Sequence, residues 1–294
     1  MESARCKAFI LSAELGSFSR AGEALSYSPS GVSQLVTALE AEFGFPLLHR
    51  TKKGVTLTAA GEKLLPAVRS FIQQEDRMFQ LAAEVKGLDV GEITIASYYS
   101  ISNHWLPKVM SAFEKDHPRI HIRLLEGIRK DVIRSLRDAG ADIGFMSSGD
   151  GLGFDWIPLA EDPMLAVLPR NHPAARRESF PVEDFAKESF IMPAFGHDDD
   201  VTALFEKFHI EPDIKFSTLE SFAAMSMVES GLGISVMNRL ITVNWQCDVV
   251  KLPLDPPQSI TLGMAIPSLA QAAPAVRKFA EFAVRLLVRQ DLLP

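Results

Sequence analysis

The chain has 294 residues, 47% of them hydrophobic, and a formal net charge of -7 at pH 7. That length suggests at least two domains, and the apolar content supports packed cores and excludes a disordered chain. No apolar run is long enough to span a bilayer, and Glu2, Arg5 and Glu14 interrupt any signal-peptide core, so the expected location is the cytoplasm.

Ser3 to Leu15 is helix-periodic, with Phe9, Ile10 and Ala13 as core positions, and Gly16 ends it. A second short helix follows, capped by Ser17 or Ser19, in which Ala21 and Gly22 are small enough to let another helix cross closely. Ser28 then caps a third helix with Pro29 at its first position. Val32, Leu35 and Leu39 form its apolar face. Ser30, Ser33, Gln34 and Thr37 form a polar face of short side chains that donate and accept. Such groups read base edges in a major groove, and Gln34 matches adenine bidentately. Two short helices joined by a tight turn, the second with a polar reading face, predict a helix-turn-helix; the competing reading is two ordinary amphipathic helices of an α-domain.

The helices stop at Gly44. Leu48, Val55 and Leu57 fit a two-stranded ribbon turning at Lys53-Gly54, with Arg50, Lys52 and Lys53 on the turn. Directly after a helix-turn-helix, this is a wing whose cations meet phosphates or a minor groove. The overall negative charge hides a split. Residues 1–64 carry seven basic and six acidic side chains, a net +1, which leaves -8 for the remainder.

Residues 3 to 64 resemble the N-terminal winged helix of LysR-type transcriptional regulators. The resemblance rests on Phe9, Gly16-Ser17-Phe18-Ser19, Ala21, Ala24-Leu25, Ser28-Pro29-Ser30, Val32-Ser33, Leu39-Glu40, Phe43-Gly44, Pro46-Leu47-Leu48, Arg50-Thr51, Leu57-Thr58 and Gly61-Glu62. It implies double-stranded DNA as a partner, touched by Ser19, Ser28, Pro29, Ser30, Ser33, Gln34, Thr37, Arg50, Lys52 and Lys53. Gly31 and Gln34 depart from the family's frequent Ala and Arg. Gly31 loosens the reading helix by about 1 kcal/mol relative to Ala. Both departures bear on the target sequence rather than on DNA binding itself.

From Thr58 or Ala59 to about Lys86 the chain reads as one long helix. Leu64, Val68, Phe71, Glu75, Met78, Ala82 and Val85 form a heptad seam suited to pairing between chains, with Glu75 a polar interruption. The expectation is a homodimer, with a homotetramer and RNA polymerase as further assemblies. Gly87 to Gly91 is a hinge. Beyond it, strand Ile93–Ala96, helix Leu106–His117, strand Ile120–Leu125, helix Asp131–Ala139 and strand Ala141–Phe145 predict a parallel sheet. Further strands are expected at 165–168, 190–192, 214–216, 234–236, 249–250 and 262–266. Further helices are expected at 201–208, 222–230 and 274–288.

This region is similar to the effector-binding domain of the same family, through Phe113 with Pro118, Glu126-Gly127, Asp142-Ile143, His172-Pro173 and Gly231-Leu232-Gly233-Ile234. The fold class is then α/β: an all-α winged helix-turn-helix (1–58), a linker helix (59–87), and a two-subdomain, periplasmic-binding-protein-like (type 2) effector domain (88–294). The resemblance divides the last into subdomain I (88–161 and 268–294) and subdomain II (162–267), with crossings near 159–163 and Pro267. Met237-Asn238 stand where the family often has Pro, so the cleft wall there differs.

Ligands of open parallel sheets bind beyond strand C-termini, beside helix N-termini. Those ends supply Ser97, Tyr98, Ser100, Ser102, Ser147, Ser148, Pro193, Phe195 and Thr218 as effector-binding candidates. Each serine alone is as well explained as a helix cap. The run His197-Asp198-Asp199-Asp200 precedes a helix, where acids are favoured, and consecutive residues rarely converge on a metal. Its charge disfavours acidic ligands or selects a cationic one. No cofactor and no metal are expected. Cys6 and Cys247 form neither a metal spacing nor a disulfide framework, and an intrachain redox switch between them is not expected. With no Gly-rich phosphate loop and no nucleophile elbow, an enzyme is not expected. The alternative is a small-molecule binding protein without DNA-binding activity.

Overall fold

Capping chemistry sets the first three helices. In the computed structural model, which describes residues 2–147, 152–193 and 198–289, α1 is Ser3–Leu15, α2 Phe18–Leu25 and α3 Pro29–Phe43. Ser17, not Ser19, caps α2 by accepting from Arg20 N, and Ser28 caps α3 by accepting from Gly31 N. Gly16 and Gly44 end α1 and α3 in the left-handed conformation. At Gly22 a Cβ would stand 2.6 Å from the Tyr27 carbonyl oxygen, so the turn between α2 and α3 requires glycine there.

Cys6, Phe9, Ala21, Val32, Val36 and Leu39 form the core of this unit, with Ile10, Ala13 and Leu35 partly buried around it. The fully buried stripe of α3 is Val32, Val36 and Leu39; Val32 and Leu39 of the expected face are among them, and Leu35 packs partly buried beside Val36. Its 4-then-3 spacing matches the helical repeat as well as the predicted 3-then-4.

β1 (Leu48–Thr51) and β2 (Gly54–Leu57) pair antiparallel as the wing, with Thr51 opposite Gly54. Lys52 and Lys53 occupy the turn. Arg50 does not, and this corrects the expectation: it lies within β1 and reaches back to α3. Its Nη2 donates to Thr37 Oγ1 and Glu40 Oε2, both at 2.8 Å, and its Nη1 donates to Ser33 Oγ at 3.1 Å. The second Glu40 oxygen accepts from the backbone amides of Leu47 at 2.8 Å and Leu48 at 3.1 Å. One carboxylate thus holds the entry to the wing and its arginine against α3.

α4 runs from Ala59 to Val85. Leu64, Leu65, Val68, Phe71 and Ile72 join the winged-helix core, so the first half of the expected seam is spent within the chain. Glu75 is also spent there: it accepts from the Ser3 hydroxyl and pairs with Lys7 at 3.5 Å. Beyond it Met78, Phe79 and Val85 stand 59%, 62% and 89% exposed. α4 also docks on the following domain. Gln80 is buried and accepts from Ala275 N at 3.3 Å; Gln73 Nε2 donates to Asp142 Oδ1 at 3.2 Å.

The remaining elements in chain order are β3 (Gly91–Ser97), α5 (Tyr99–His104), α6 (Leu106–Asp116), β4 (Ile120–Glu126), α7 (Arg129–Arg137), β5 (Ile143–Ser147) and β6 (Asp155–Pro169). Then come β7 (Phe180–Pro181), β8 (Ser189–Met192), α8 (Asp199–Phe208), β9 (Asp213–Ser217), α9 (Ser221–Glu229), β10 (Ser235–Asn238), α10 (Arg239–Thr242), β11 (Val249–Asp255), β12 (Ser259–Ile266) and α11 (Pro274–Arg289). The large sheet runs β4-β3-β5-β12-β6-β11-β7, with β10 also on β6, and β8-β9 form a second sheet. β3 is parallel to β4 and β5 as expected, but β12 is antiparallel to β5 and β6, so the sheet is mixed rather than parallel.

The main departure is β6. Only its last third is expected from sequence, because Pro158 and Pro163 lack the donors of a central strand. The sheet absorbs Pro158 at a bulge opposite Leu262/Gly263. β6 is the first crossing between subdomains. The return is made by β12, which faces Pro163 at Ser259 and pairs with β5 from Leu262 onward. Leu262, Met264 and Ile266 of β12 sit in the first core with Ile93, Phe113 and Phe279. A second core surrounds Phe180, Phe185, Phe190 and Phe205. Asn238, at the position of the family's frequent Pro, donates to Asp162 on the crossing strand, and Asp162 also accepts from Leu240 N at 3.0 Å.

Two outcomes are expected. Glu40→Ala removes the acceptor of two backbone amides; hydrogen exchange at Leu47 and Leu48 should accelerate by about tenfold or more, and unchanged exchange at both would exclude the tether. Burial pushes the Asp142 carboxyl up to about 6 from 3.8, despite the bond it accepts from Thr94 N. A folded pKa raised above the unfolded one stabilises fully below about pH 4, and that contribution is lost as pH rises through about 6. From pH 5 to 7.5 in urea unfolding, the wild type should lose about 1–3 kcal/mol more than Asp142→Asn.

Candidate DNA interface and effector cleft

The outward face of α3 presents Pro29, Ser30, Gln34 and Thr37 to solvent, with Ser33 half-buried and Ser28 and Ser19 exposed nearby. Their hydrogen-bonding capacity is not equally open. Ser28 Oγ is committed to its cap and lies 3.0 Å from Ser30 Oγ. Thr37 donates to Ser33 O at 2.8 Å, and both Ser33 and Thr37 accept from Arg50. The guanidinium also lies 5.4 Å over the Phe18 ring. Gln34 has no such commitment among the described residues and is exposed. Lys52 and Lys53 are exposed at the wing tip and make no ion pair among the described residues.

Between the two halves of the α/β domain lies a cavity of about 160 Å³. Its walls come from helix N-termini on both sides: Tyr98, Ser100 and Arg129 from the first half, Asp199, Asp200 and Ser221 from the second. Sequence reasoning misses Arg129. It opens α7, and its Nη1 donates to Ser147 O at 2.7 Å and Ser147 Oγ at 2.9 Å. The Tyr98 hydroxyl lies 3.0 Å from the same Ser147 Oγ. Across the gap, Arg129 Nε faces Asp199 Oδ2 at 3.5 Å. Strand β5 thus ends in a hydroxyl that aligns both the arginine and the tyrosine.

Tyr98 and Ser100 line the cavity as expected, and Ser147 buttresses it from behind. Ser97 does not line it: it is buried and donates to Tyr98 O at 3.1 Å. Ser102 is also buried, two residues further into α5, away from the helix start that faces the gap. Pro193 and Thr218 are not part of the wall; the residue after Thr218, Leu219, is. Ser148, Phe195 and His197 lie outside the described residues.

The acidic run divides its labour. Asp198 caps α8, accepting from Asp200 N and Val201 N, both at 3.1 Å, so α8 starts two residues before the expected Val201. Burial raises its carboxyl above the ordinary range. Asp199 is the half of an ion pair that spans the cleft. Asp200 is pushed up to about 6 by burial and by neighbouring Asp198, against the lowering effect of Ser147 and Arg129. Burial likewise raises the Tyr98 hydroxyl. The positive charge that holds Asp199 could be suspected from sequence only by noticing that Arg129 follows Gly127 at a strand-to-helix turn.

Comparison with known proteins agrees with this architecture. Residues 4–62 match the family model described as a bacterial regulatory helix-turn-helix protein of the lysR family, and residues 86–287 match the LysR substrate binding domain. The "Uncharacterized HTH-type transcriptional regulator YvbU" of Bacillus subtilis is 29% identical over 283 residues, covering 95% of this chain and 97% of its own. Full-length OxyR C199D from Pseudomonas aeruginosa superposes with a TM-score of 0.75 at 20% identity, covering 98% of this chain and 95% of that one. Full-length CbnR complexed with its target DNA gives a TM-score of 0.66 at 22% identity, over 97% and 99% of the two chains. Among the described residues no helix is long and apolar enough to cross a membrane. With a winged helix at its start and a two-lobed α/β domain behind it, the chain belongs to the LysR family: it is a DNA-binding transcriptional regulator controlled by a small-molecule effector.

Proposed function

We infer that this regulator reads a two-fold symmetric DNA site as a homodimer, and that dimers pair into a homotetramer. The reading is carried by one observation: Gln34 and Ser30 on α3 and Lys52 and Lys53 at the wing tip all face solvent, and the two lysines have no carboxylate partner among the described residues. Gln34 reads a base edge, and Lys52 and Lys53 hold phosphates. Arg50 presents Ser33 and Thr37 to the groove and exchanges one of its bonds for a phosphate. Ser19, Ser28 and Pro29 set the backbone approach. The open stripe of Met78 and Val85 on α4 supports pairing with a second copy, which would place two α3 helices on one duplex. The exposed apolar residues of β9, Ile214 and Phe216, support a second interface for the tetramer. The regulator acts in the cytoplasm with RNA polymerase as its further partner. It uses its effector by binding alone, without chemistry. The effector occupies the cavity against Tyr98, Ser100, Ser147 and Arg129, and binds one arrangement of the two halves better than another.

A mobility-shift series on DNA upstream of the gene tests the DNA contacts. Lys52→Ala with Lys53→Ala should weaken binding to every sequence and reduce the salt slope by about 2 for each protomer on the DNA, about 4 for the dimer. Gln34→Ala should relax discrimination at one position of each half-site by about 1–3 kcal/mol. If neither variant alters binding, the assignment of this face is wrong. For the assembly, Met78→Glu with Val85→Glu should lower the sedimenting mass to that of a smaller species; an unchanged mass would exclude α4 as the pairing helix.

A further inference from the structure

The cleft holds opposite charges that face each other at short range from different halves of the domain. On the reading of this cleft as the effector site, those charges define the class of effector it takes. Arg129 has one nitrogen fixed on Ser147, and its Nε meets Asp199 at 3.5 Å. That is longer than the roughly 2.7–2.9 Å of a good charged hydrogen bond. The Asp199 side chain is 61% exposed and its partner only 14%, so the pair is loose on the acidic side. Asp200 follows on the same turn and also lines the cavity. Nearby, α9 begins at Ser221 with no side chain capping its first amides, and Leu219 and Ser221 both line the gap. Uncapped amides at the start of a helix favour a negative group.

Consider which ligand charges this arrangement accepts. An anion alone would take Arg129 from Asp199 and add its charge beside the three carboxyl groups of Asp198, Asp199 and Asp200, with Lys130 as the other cation on the wall. A cation alone would draw Asp199 away and leave the half-buried guanidinium unpaired, which is costly. A ligand carrying both charges replaces one long internal pair with two, and the net charge of the cleft does not change. The opposed groups are only 3.5 Å apart, so the ligand's two charges must also be adjacent. The cavity, about 160 Å³, is below the roughly 300–1,000 Å³ typical of drug-sized ligands, so the molecule is small. We propose that the effector is a small α-amino acid bound as its zwitterion, with its carboxylate on Arg129 and the open amides of α9 and its ammonium between Asp199 and Asp200.

The test uses the full-length protein, the common L-amino acids, and, for each, the acid lacking its amino group and the amine lacking its carboxylate. Thermal shift finds the binders and calorimetry measures them. At least one amino acid should bind, and each of its one-charge analogues should bind about tenfold or more weakly. Asp199→Asn and Arg129→Met should each weaken the amino acid about tenfold or more. If an amine-free acid binds as tightly as the amino acid, and Arg129→Met abolishes it while Asp199→Asn does not, the zwitterion is wrong though the cleft remains the site. If an amino acid binds equally to the wild type and both variants, the cleft is not the site and the underlying reading falls. If no amino acid binds, the proposal is overturned.

Discussion

The joining of α3 to the wing depends on the Glu40 carboxylate. It stands at the C-terminal end of α3, where the helix dipole disfavours an acid, and it is half-buried. What offsets this is the number of donors it collects: the amides of Leu47 and Leu48 on one oxygen and the Arg50 guanidinium on the other. Phe45-Pro46 cannot continue the helix, and the chain must reverse there before the wing begins. Two buried amides would otherwise lack acceptors. The same contact aligns Arg50 along Ser33 and Thr37, so the polar face of α3 and the first strand of the wing form one surface. A wing free to swing would leave Lys52 and Lys53 at no fixed distance from Gln34, and phosphate contacts set register only when that distance is fixed.

β5 connects this unit to the cleft. All five of its residues, Ile143–Ser147, are buried. At its start Asp142 accepts from Gln73 on α4, and at its end Ser147 holds Arg129 and Tyr98. A five-residue strand spans roughly 16 Å. α4 and the cavity of the cleft are thus fastened to opposite ends of one short, fully packed strand. Close-packed interiors transmit displacement instead of absorbing it. A displacement of Ser147 would therefore be carried along β5 to Asp142, the residue that accepts from Gln73 of α4.

Much of the N-terminal unit was legible because its signals are local. Ser28-Pro29, Gly16 and Gly44 mark helix ends within a turn of themselves, and Gly22 announces a close approach that the Tyr27 carbonyl makes. The α/β region was legible as a pattern of elements but less so in its sheet, because the prolines of β6 conceal a strand that only its partners reveal. The cleft was legible in half. Tyr98 and Ser100 follow a strand end and could be placed by rule. Arg129 and Asp199 matter because two helix starts from distant segments face each other, and nothing within either segment says so. Arg50 was misplaced for the same reason: a basic residue near a turn reads as a surface cation until its partner, ten residues upstream, is seen to hold it.

α4 shows how one apolar repeat serves two purposes. The spacing from Leu64 to Val85 is continuous in sequence, and a single seam is the simplest account of it. The first half is committed within the chain, since Leu64, Leu65, Val68, Phe71 and Ile72 pack into the core of the first three helices. Glu75 marks the change: its partners are Ser3 and Lys7 at the start of α1, so the helix leaves its own domain one turn later. After that point only Gln80, on the opposite side, is buried, against Ala275 and Gly91. Met78 and Val85 keep the same register and are largely exposed among the described residues. An apolar repeat that continues past the domain it stabilises is the surface that the proposed pairing with a second copy would bury.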